Sequence, residues 1–271
     1  MTVVVITLVK DDLHGLMRTE SSVLSQTTKV DWVIITPNDQ SPTNAYAEEL
    51  RNRGIASAVL ADDGHGIYRA MNLAIKSAAA SDWLWFMNAG DEFASRDSYS
   101  LVNAIASTTN QQWLFGGHYL GSISGKILGK VPAPQRFLVN KQLFSKEYIS
   151  HQATIFRVAF LQKLGGFNES YKIAADWDLF VRASHIDQGY CIPEFLSIFY
   201  MGGLSTKSRA IGNRELLLLR KKYLPSKYLL KNYYWFFYRT IRNSVVILVE
   251  NRAPKLADAI REIRFLGRNR R

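Results

Sequence analysis

The chain opens on a β-branched run, Val3 to Val9 (VVVITLV), and from there to Asn88 it alternates apolar runs with polar, amphipathic stretches. The stretch through Leu24 reads as a helix, VDWVIIT as a second strand, and NAYAEELRNRG as a second helix stopped by Gly54. IASAVLA, a helix from Ile67 to Ala80, and DWLWFMN complete three more elements. Strands and helices in strict turn predict an α/β fold with a mostly parallel, doubly wound sheet. Ligands of such sheets sit beyond the C-terminal ends of the strands, and Asp39, Asp62 and Asp91 all fall there.

After Trp113 the pattern changes. Glycines (Gly116, Gly117, Gly121, Gly125, Gly129) and two prolines (Pro132, Pro134) punctuate short apolar runs as far as Tyr148, which predicts hairpin-like strands and a loop over one edge of the site. Helices are predicted over Arg157 to Leu164, closed by Gly165 and Gly166, and over Asp176 to His185. From about Asn213 the composition is helical, with Pro225 and Pro254 as breaks.

Composition narrows the class. A 271-residue chain with 47% hydrophobic residues can bury a full core. Its single cysteine, Cys191, excludes an internal disulfide framework and a Cys-based zinc site, as expected of a reducing compartment. MTVVVITLVKDD lacks a basic stretch before its apolar run, so it reads as a first strand and not a signal peptide, and a cytoplasmic location is expected. From Thr206 on there are 17 Lys and Arg against 4 acids, more than the whole net charge of +11, so residues 1–205 are close to neutral. The expected division is a catalytic domain over 1–205 and a basic, aromatic-rich helical tail over 206–271.

Four segments carry candidate chemistry. They are IITPNDQS with Asp39, DDGHGIYRAMN from Asp62 to Asn72, FMNAGD from Phe86 to Asp91, and AADWDLF with Asp176 and Asp178. Each acid follows or adjoins apolar or aromatic residues, where a carboxylate is costly without a cation or hydrogen-bond donors. That pattern points to a metal and a polar substrate. A hard divalent cation takes oxygen ligands, so one carboxylate plus diphosphate oxygens can hold Mg²⁺ or Mn²⁺, and Asp91 is the metal candidate. The plain alternatives are a turn for Asp39, a polar turn for DDGHG, a solvated helix residue for Arg69, and a helix cap for Asp91. Asp178 is a substrate-facing candidate whose plain alternative is to cap its helix or pair with Arg182 at i,i+4.

These segments, with VITLVKDDLHGLMRTESSVLSQT and HQATIFRVAFLQKLGGFNESYKIAADWDLFVR, resemble bacterial family 2 glycosyltransferases of GT-A fold, similar to those of colanic acid and O-antigen biosynthesis. The resemblance runs from about Val3 to Ser205. It implies that Asp39 binds the donor's base, with Thr7 and Val9 lining the same pocket. It places Asp62 or Asp63, Arg69 and Asn72 near the donor, and His151 and Gln152 toward the acceptor or diphosphate. Asp176 becomes the catalytic base, and Gly202 to Ser208 the loop over the diphosphate. The acidic cluster of many members is thinned here, with Asn88 and Gly90 where they carry Asp. The implied activity is transfer of a sugar, from a UDP-sugar by default, to a hydroxyl of a lipid-linked oligosaccharide. A sugar nucleotidyltransferase would want a Gly-rich phosphate loop after the first strand, which ITLVKDDLHG is not; a non-catalytic nucleotide-sugar-binding homologue is the other alternative.

The tail has no nucleic-acid-binding motif, so no nucleic acid is expected as a partner. KNYYWFFYRTIRNSVVILV interleaves aromatic and aliphatic residues with Lys231, Arg239 and Arg242, so no uninterrupted spanning helix is expected. The reading is a peripheral helix on the anionic inner face of the cytoplasmic membrane, with Trp235, Phe236 and Phe237 inserting; a solvated or core-packed helix is the alternative.

Overall fold

The structure is a computed structural model and describes residues 2–122, 125–144, 149–203 and 208–252. Residues 204–207 of the Gly202–Ser208 loop, Pro254 and the rest of the tail from 253 lie outside the described residues.

The first half follows the alternation. Strands β1 (Val3–Leu8), β2 (Asp31–Pro37), β3 (Ala58–Asp62) and β4 (Trp83–Phe86) are linked by helices α1 (Leu13–Leu24), α2 (Pro42–Asn52) and α3 (Ile67–Ser77). All three pairings among these strands, β3 with β2, β2 with β1 and β1 with β4, are parallel. Successive side chains of a strand face opposite sides. Val4, Ile6 and Leu8 enter one core with α3, while Val3, Val5 and Val9 enter another with α1 and α2. A strand buried on both faces has to read as a continuous apolar run, as VVVITLV does.

The second half is mixed. It contains β5 (Glu92–Phe93), α4 (Ser98–Thr108), β6 (Trp113–Gly121), β7 (Ile127–Val131), α5 (Val139–Gln142), β8 (Thr154–Arg157), α6 (Val158–Lys163), α7 (Ala175–Ser184) and β9 (Tyr190–Tyr200). The sheet runs β3-β2-β1-β4-β8-β6-β9-β5, with β7 pairing β6 as the expected hairpin. Antiparallel β8 joins β4 to β6, and β9 returns parallel to β6. Trp113 stacks on Phe156 and Phe180, tying β6, β8 and α7 into the first core.

Two helices follow, α8 (Arg209–Tyr223) and α9 (Leu229–Arg252). Although α8 belongs by composition to the basic tail, it lies against α7, with Leu216 and Leu219 packed on Ala174 and beside Trp177. Buried Arg220 donates to the Leu143 carbonyl (2.9 Å) and to Asn232 of α9 (3.3 Å). On α9, Trp235 and Phe236 are half-buried, Trp235 beside Phe144, and Phe237 is the exposed member of that trio.

Candidate active site

The turn after β4 is built against α1. The Gly90 amide donates to the Gly15 carbonyl (2.9 Å) and to the Thr19 hydroxyl (3.0 Å), which itself donates to the Asp91 carbonyl (2.9 Å). Gly90 has φ of +92°, which a residue with a Cβ adopts only under strain, so Asp at this position would not fit the same turn. The turn aims Asp91 inward, where it is 4% exposed. Its carboxylate accepts from Gln152 Nε2 (3.1 Å) and from the Tyr200 amide (3.4 Å). Burial, opposed by the charge of His151 and the Gln152 hydrogen bond, pushes Asp91 up to about 7.

A chain of contacts leads from this turn to α7. Asn88 Nδ2 lies 3.1 Å from His151 Nε2, and His151 Nδ1 lies 3.8 Å from Asp176 Oδ2. In the neutral ring, with the Asn88 amide donating to Nε2, the proton would sit on Nδ1, facing Asp176. Asp176, at the second position of α7, also accepts from the Trp177 amide (2.8 Å). Asn88, Asp91, His151, Gln152 and Asp176, drawn from three distant stretches, thus meet in one place.

Asp178 is turned elsewhere. It is 1% exposed and accepts from Arg182 Nε (2.7 Å), Lys222 Nζ (3.0 Å) and the Tyr223 hydroxyl (2.7 Å). Burial pushes its carboxyl up, but the hydrogen bonds from Tyr223, Lys222 and Arg182 outweigh that and hold it below the usual range. Of its two sequence roles, pairing with Arg182 is the one seen, and the substrate-facing role does not match this geometry.

Asp39, Asp62 and Asp63 line the ends of β2 and β3, on the same edge of the sheet as Asp91. The Asn38 amide donates to the Asp62 carbonyl (3.4 Å), bringing the two turns together. Asp39 accepts from the Ser41 amide (3.0 Å) and is held below the usual carboxylate range by Ser41 and, more weakly, by Lys10. Asp62 accepts from the Gly64 amide (2.7 Å), and Asp63 pairs with Arg69 (2.6 Å).

Three sequence candidates have other jobs. The Thr7 hydroxyl is fully buried and accepts from Trp32 Nε1 (2.9 Å), and Val9 lies in the core, so both side chains point into packing. The Asn72 side chain accepts from the Phe167 amide (2.8 Å) and donates to the Phe167 carbonyl (2.9 Å) and Glu169 (2.7 Å), ordering the loop before α7. Sequence reasoning missed His118 on β6, fully buried and lowered to about 4 by burial and then by the charge of His151, and Tyr200 at the end of β9. Arg18 stacks over the Tyr200 ring (4.7 Å to its centroid), and burial followed by Glu92 pushes the Tyr200 hydroxyl up to about 12. An isolated His or Tyr in an apolar run reads as ordinary core.

The donor set bears on a metal. No group of three or more His, Cys, Asp or Glu that could hold an ion occurs among the described residues. Asn88 Oδ1, however, is buried without a hydrogen-bond partner among the described residues, three residues from the buried Asp91 carboxylate, whose hydrogen bonds come from Gln152 and the Tyr200 amide. Two such oxygens suit a hard divalent ion that takes its remaining ligands from a diphosphate and water.

The sequence profile of Glycosyl transferase family 2 matches residues 2–164. An uncharacterised glycosyltransferase of Mycobacterium tuberculosis is 32% identical over 188 residues, 68% of this chain and 69% of its own. A PGL/p-HBAD biosynthesis glycosyltransferase of Mycobacterium bovis is 29% identical over 140 residues, 51% of this chain and 50% of its own. Among solved structures, S. aureus TarS 1–349 in complex with UDP-GlcNAc has a TM-score of 0.62 at 15% identity, covering 98% of this chain and 80% of that one. The mannosyltransferase PcManGT of Pyrobaculum calidifontis, in complex with GDP-Man and Mn²⁺, has a TM-score of 0.59 at 13% identity, covering 95% of this chain and 77% of that one.

Proposed function

The chain belongs to glycosyl transferase family 2 and has the GT-A fold, and from that premise we propose that it is an inverting, metal-dependent transferase. It moves a sugar from a nucleotide diphosphate, with UDP as the nucleotide, to a hydroxyl of a lipid-linked oligosaccharide in bacterial surface polysaccharide biosynthesis. The observation that carries this reading is the convergence of Asp176 with Asn88 through His151, and of Asp91 beside them through Gln152.

Asp176 accepts the proton of the acceptor hydroxyl as that oxygen attacks the anomeric carbon, and a single displacement inverts it. His151, its Nδ1 proton facing Asp176 and its Nε2 on Asn88, fixes where the carboxylate points. Asp39, at the end of β2, accepts from the base of the nucleotide. Asn88 and Asp91 would hold Mn²⁺ or Mg²⁺, which when bound neutralises the leaving diphosphate. The Mn²⁺ and nucleotide sugars named with PcManGT and TarS support this assignment.

The acceptor's lipid fits the exposed side of α9. Leu230, Tyr234, Phe237, Ile241, Val245 and Leu248 recur at helical spacing, each half or more exposed and Leu230 86%. Exposed Lys227 and Lys231 adjoin them, and no helix among the described residues is long and apolar enough to cross a membrane. The reading is a helix lying in the headgroup layer of an anionic membrane, on its cytoplasmic face.

A thermal-shift and nucleotide-release screen of UDP-, GDP- and dTDP-sugars with Mn²⁺ tests the core of this. UDP and one UDP-sugar should raise the melting temperature, and more so with metal. No stabilisation by any nucleotide would defeat the assignment.

A further inference from the structure

The helix that carries Asp176 lacks a cap of its own. Its N-cap position is Ala174, which offers no side-chain acceptor, although the first amides of any helix have no partner within it. An acceptor from α8 reaches the N-cap amide and the two amides before it. Glu215, 8% exposed, takes the Lys172 amide on one carboxylate oxygen (2.7 Å) and the Ile173 and Ala174 amides on the other (2.9 Å each). It stands among seventeen cations in the basic C-terminal stretch, yet it is turned wholly inward.

The same turn is gripped from other sides. The Tyr68 hydroxyl of α3 donates to the Ile173 carbonyl (2.6 Å). Gly212, one turn before Glu215, lets α8 come so close that an added Cβ would sit 3.1 Å from Ile173 Cγ2. Asp176 follows two residues after the last gripped amide, and its carboxylate must stay within reach of His151.

We propose that Glu215 is a positioning residue for the base. It fixes the 172–174 turn, and through it the first turn of α7, so that Asp176 meets the acceptor hydroxyl at a productive angle. The proposal rests on Asp176 being the base. Reacting groups held in place lose on the order of 10²-fold in rate when displaced by about 1 Å, so the effect should appear in kcat and not in donor binding.

The test compares full-length wild type with Glu215→Gln, Glu215→Ala and Gly212→Ala. Nucleotide release to water is followed with UDP-GlcNAc, UDP-glucose, GDP-mannose and dTDP-rhamnose in Mn²⁺, affinity for UDP with Mn²⁺ by calorimetry, and amide exchange by mass spectrometry. Glu215→Ala should lower kcat on the order of 10²-fold with UDP affinity nearly unchanged, and Glu215→Gln, which keeps one acceptor oxygen, should fall between. Exchange should rise over 172–178 and not in α1 or α2. In an Asp176→Asn background, Glu215→Ala should cost almost nothing more. Gly212→Ala, which pushes Ile173 while leaving the carboxylate in place, should lower kcat without lowering the melting temperature, and it serves if Glu215→Ala does not fold. Unchanged kcat in Glu215→Gln, a loss matched by lost UDP affinity, or full additivity with Asp176→Asn would overturn the proposal. If wild type releases nucleotide from none of the donors, the transferase reading fails, and unaltered protection over 172–174 in Glu215→Gln then overturns this inference separately.

Discussion

Asp91 should make the metal-free protein less stable than it needs to be. In the unfolded chain its carboxyl titrates near the ordinary 3.8, and in the fold near 7. Between those values the unfolded state has lost its proton while the folded state keeps it, so stability falls as pH rises from about 4 to 7 and is flat above. At 1.36 kcal/mol per pKa unit the full cost is about 4 kcal/mol, of which about 3 kcal/mol accrues between pH 5 and pH 8. Asp91→Asn removes that pH-dependent term. Both carboxylate oxygens accept from N–H donors, so whichever way the new amide turns, its NH2 would face Gln152 Nε2 or the Tyr200 amide. That mismatch costs roughly 1–2 kcal/mol at every pH, so it lowers the whole curve without changing its slope. In chelator, the melting temperature of the variant relative to wild type should rise by about 6 °C from pH 5 to pH 8. Scanning fluorimetry at half-unit pH steps measures this, and Mn²⁺ with UDP should reverse the advantage by stabilising wild type alone. A gap between the two proteins that stays constant over that range would falsify the claim that a buried, ionising carboxylate sits here.

The other expectations are simpler. Chelation should abolish transfer, and Asp91→Ala should weaken UDP binding far more with Mn²⁺ than without it; full activity in chelator would remove the metal. Asp176→Asn should lower transfer by roughly 10²- to 10⁴-fold with little change in UDP affinity, as calorimetry and turnover together would report. Asp178→Asn, which breaks a buried ionic cluster, should cost about 3 kcal/mol of stability and spare donor affinity. The wild-type contribution of Asp178, whose carboxyl is depressed, is complete near neutrality and is lost as pH falls below the ordinary carboxylate range, so urea titrations of the two proteins should converge in acid. Leu230→Ser with Phe237→Ser and Ile241→Ser should release the protein from vesicles containing phosphatidylglycerol at low salt, whereas Trp235→Ser should not; equal partitioning of all three proteins would favour another partner for α9.

The parallel half of the sheet was legible because burial on both faces leaves apolar runs bounded by polar helices. The other half was not. β9 carries Pro193 and Glu194 within its span, and its partner β6 lies nearly eighty positions upstream, so neither composition nor local period announces it. β5 is two residues long and exists only through β9. The acids of the site could be read from their places after apolar runs, but the Asn88–His151–Asp176 contacts join positions 63 and 25 residues apart and follow from topology alone. The Thr7 side chain has a local partner that its position did not announce. A hydroxyl at a strand end suits a ligand pocket, yet the buried Trp32 indole needed an acceptor and took it.

The reach of α8 back to α7 also sets when the protein becomes competent during synthesis. Both halves of the sheet are complete in a chain that ends at residue 205, since its last strand closes at Tyr200. The match to the family profile ends earlier still, at residue 164. A nascent chain of that length can collapse around its two cores, domains folding from the N-terminus as they emerge, but the amides of Lys172, Ile173 and Ala174 must wait for a carboxylate that has not been made. On the proposed reading, in which the donor is held at the ends of the early strands, sugar-nucleotide capture should therefore precede chemistry on the ribosome. On that reading, a fragment cut at the apparent edge of the catalytic domain should bind its donor and be a poor enzyme.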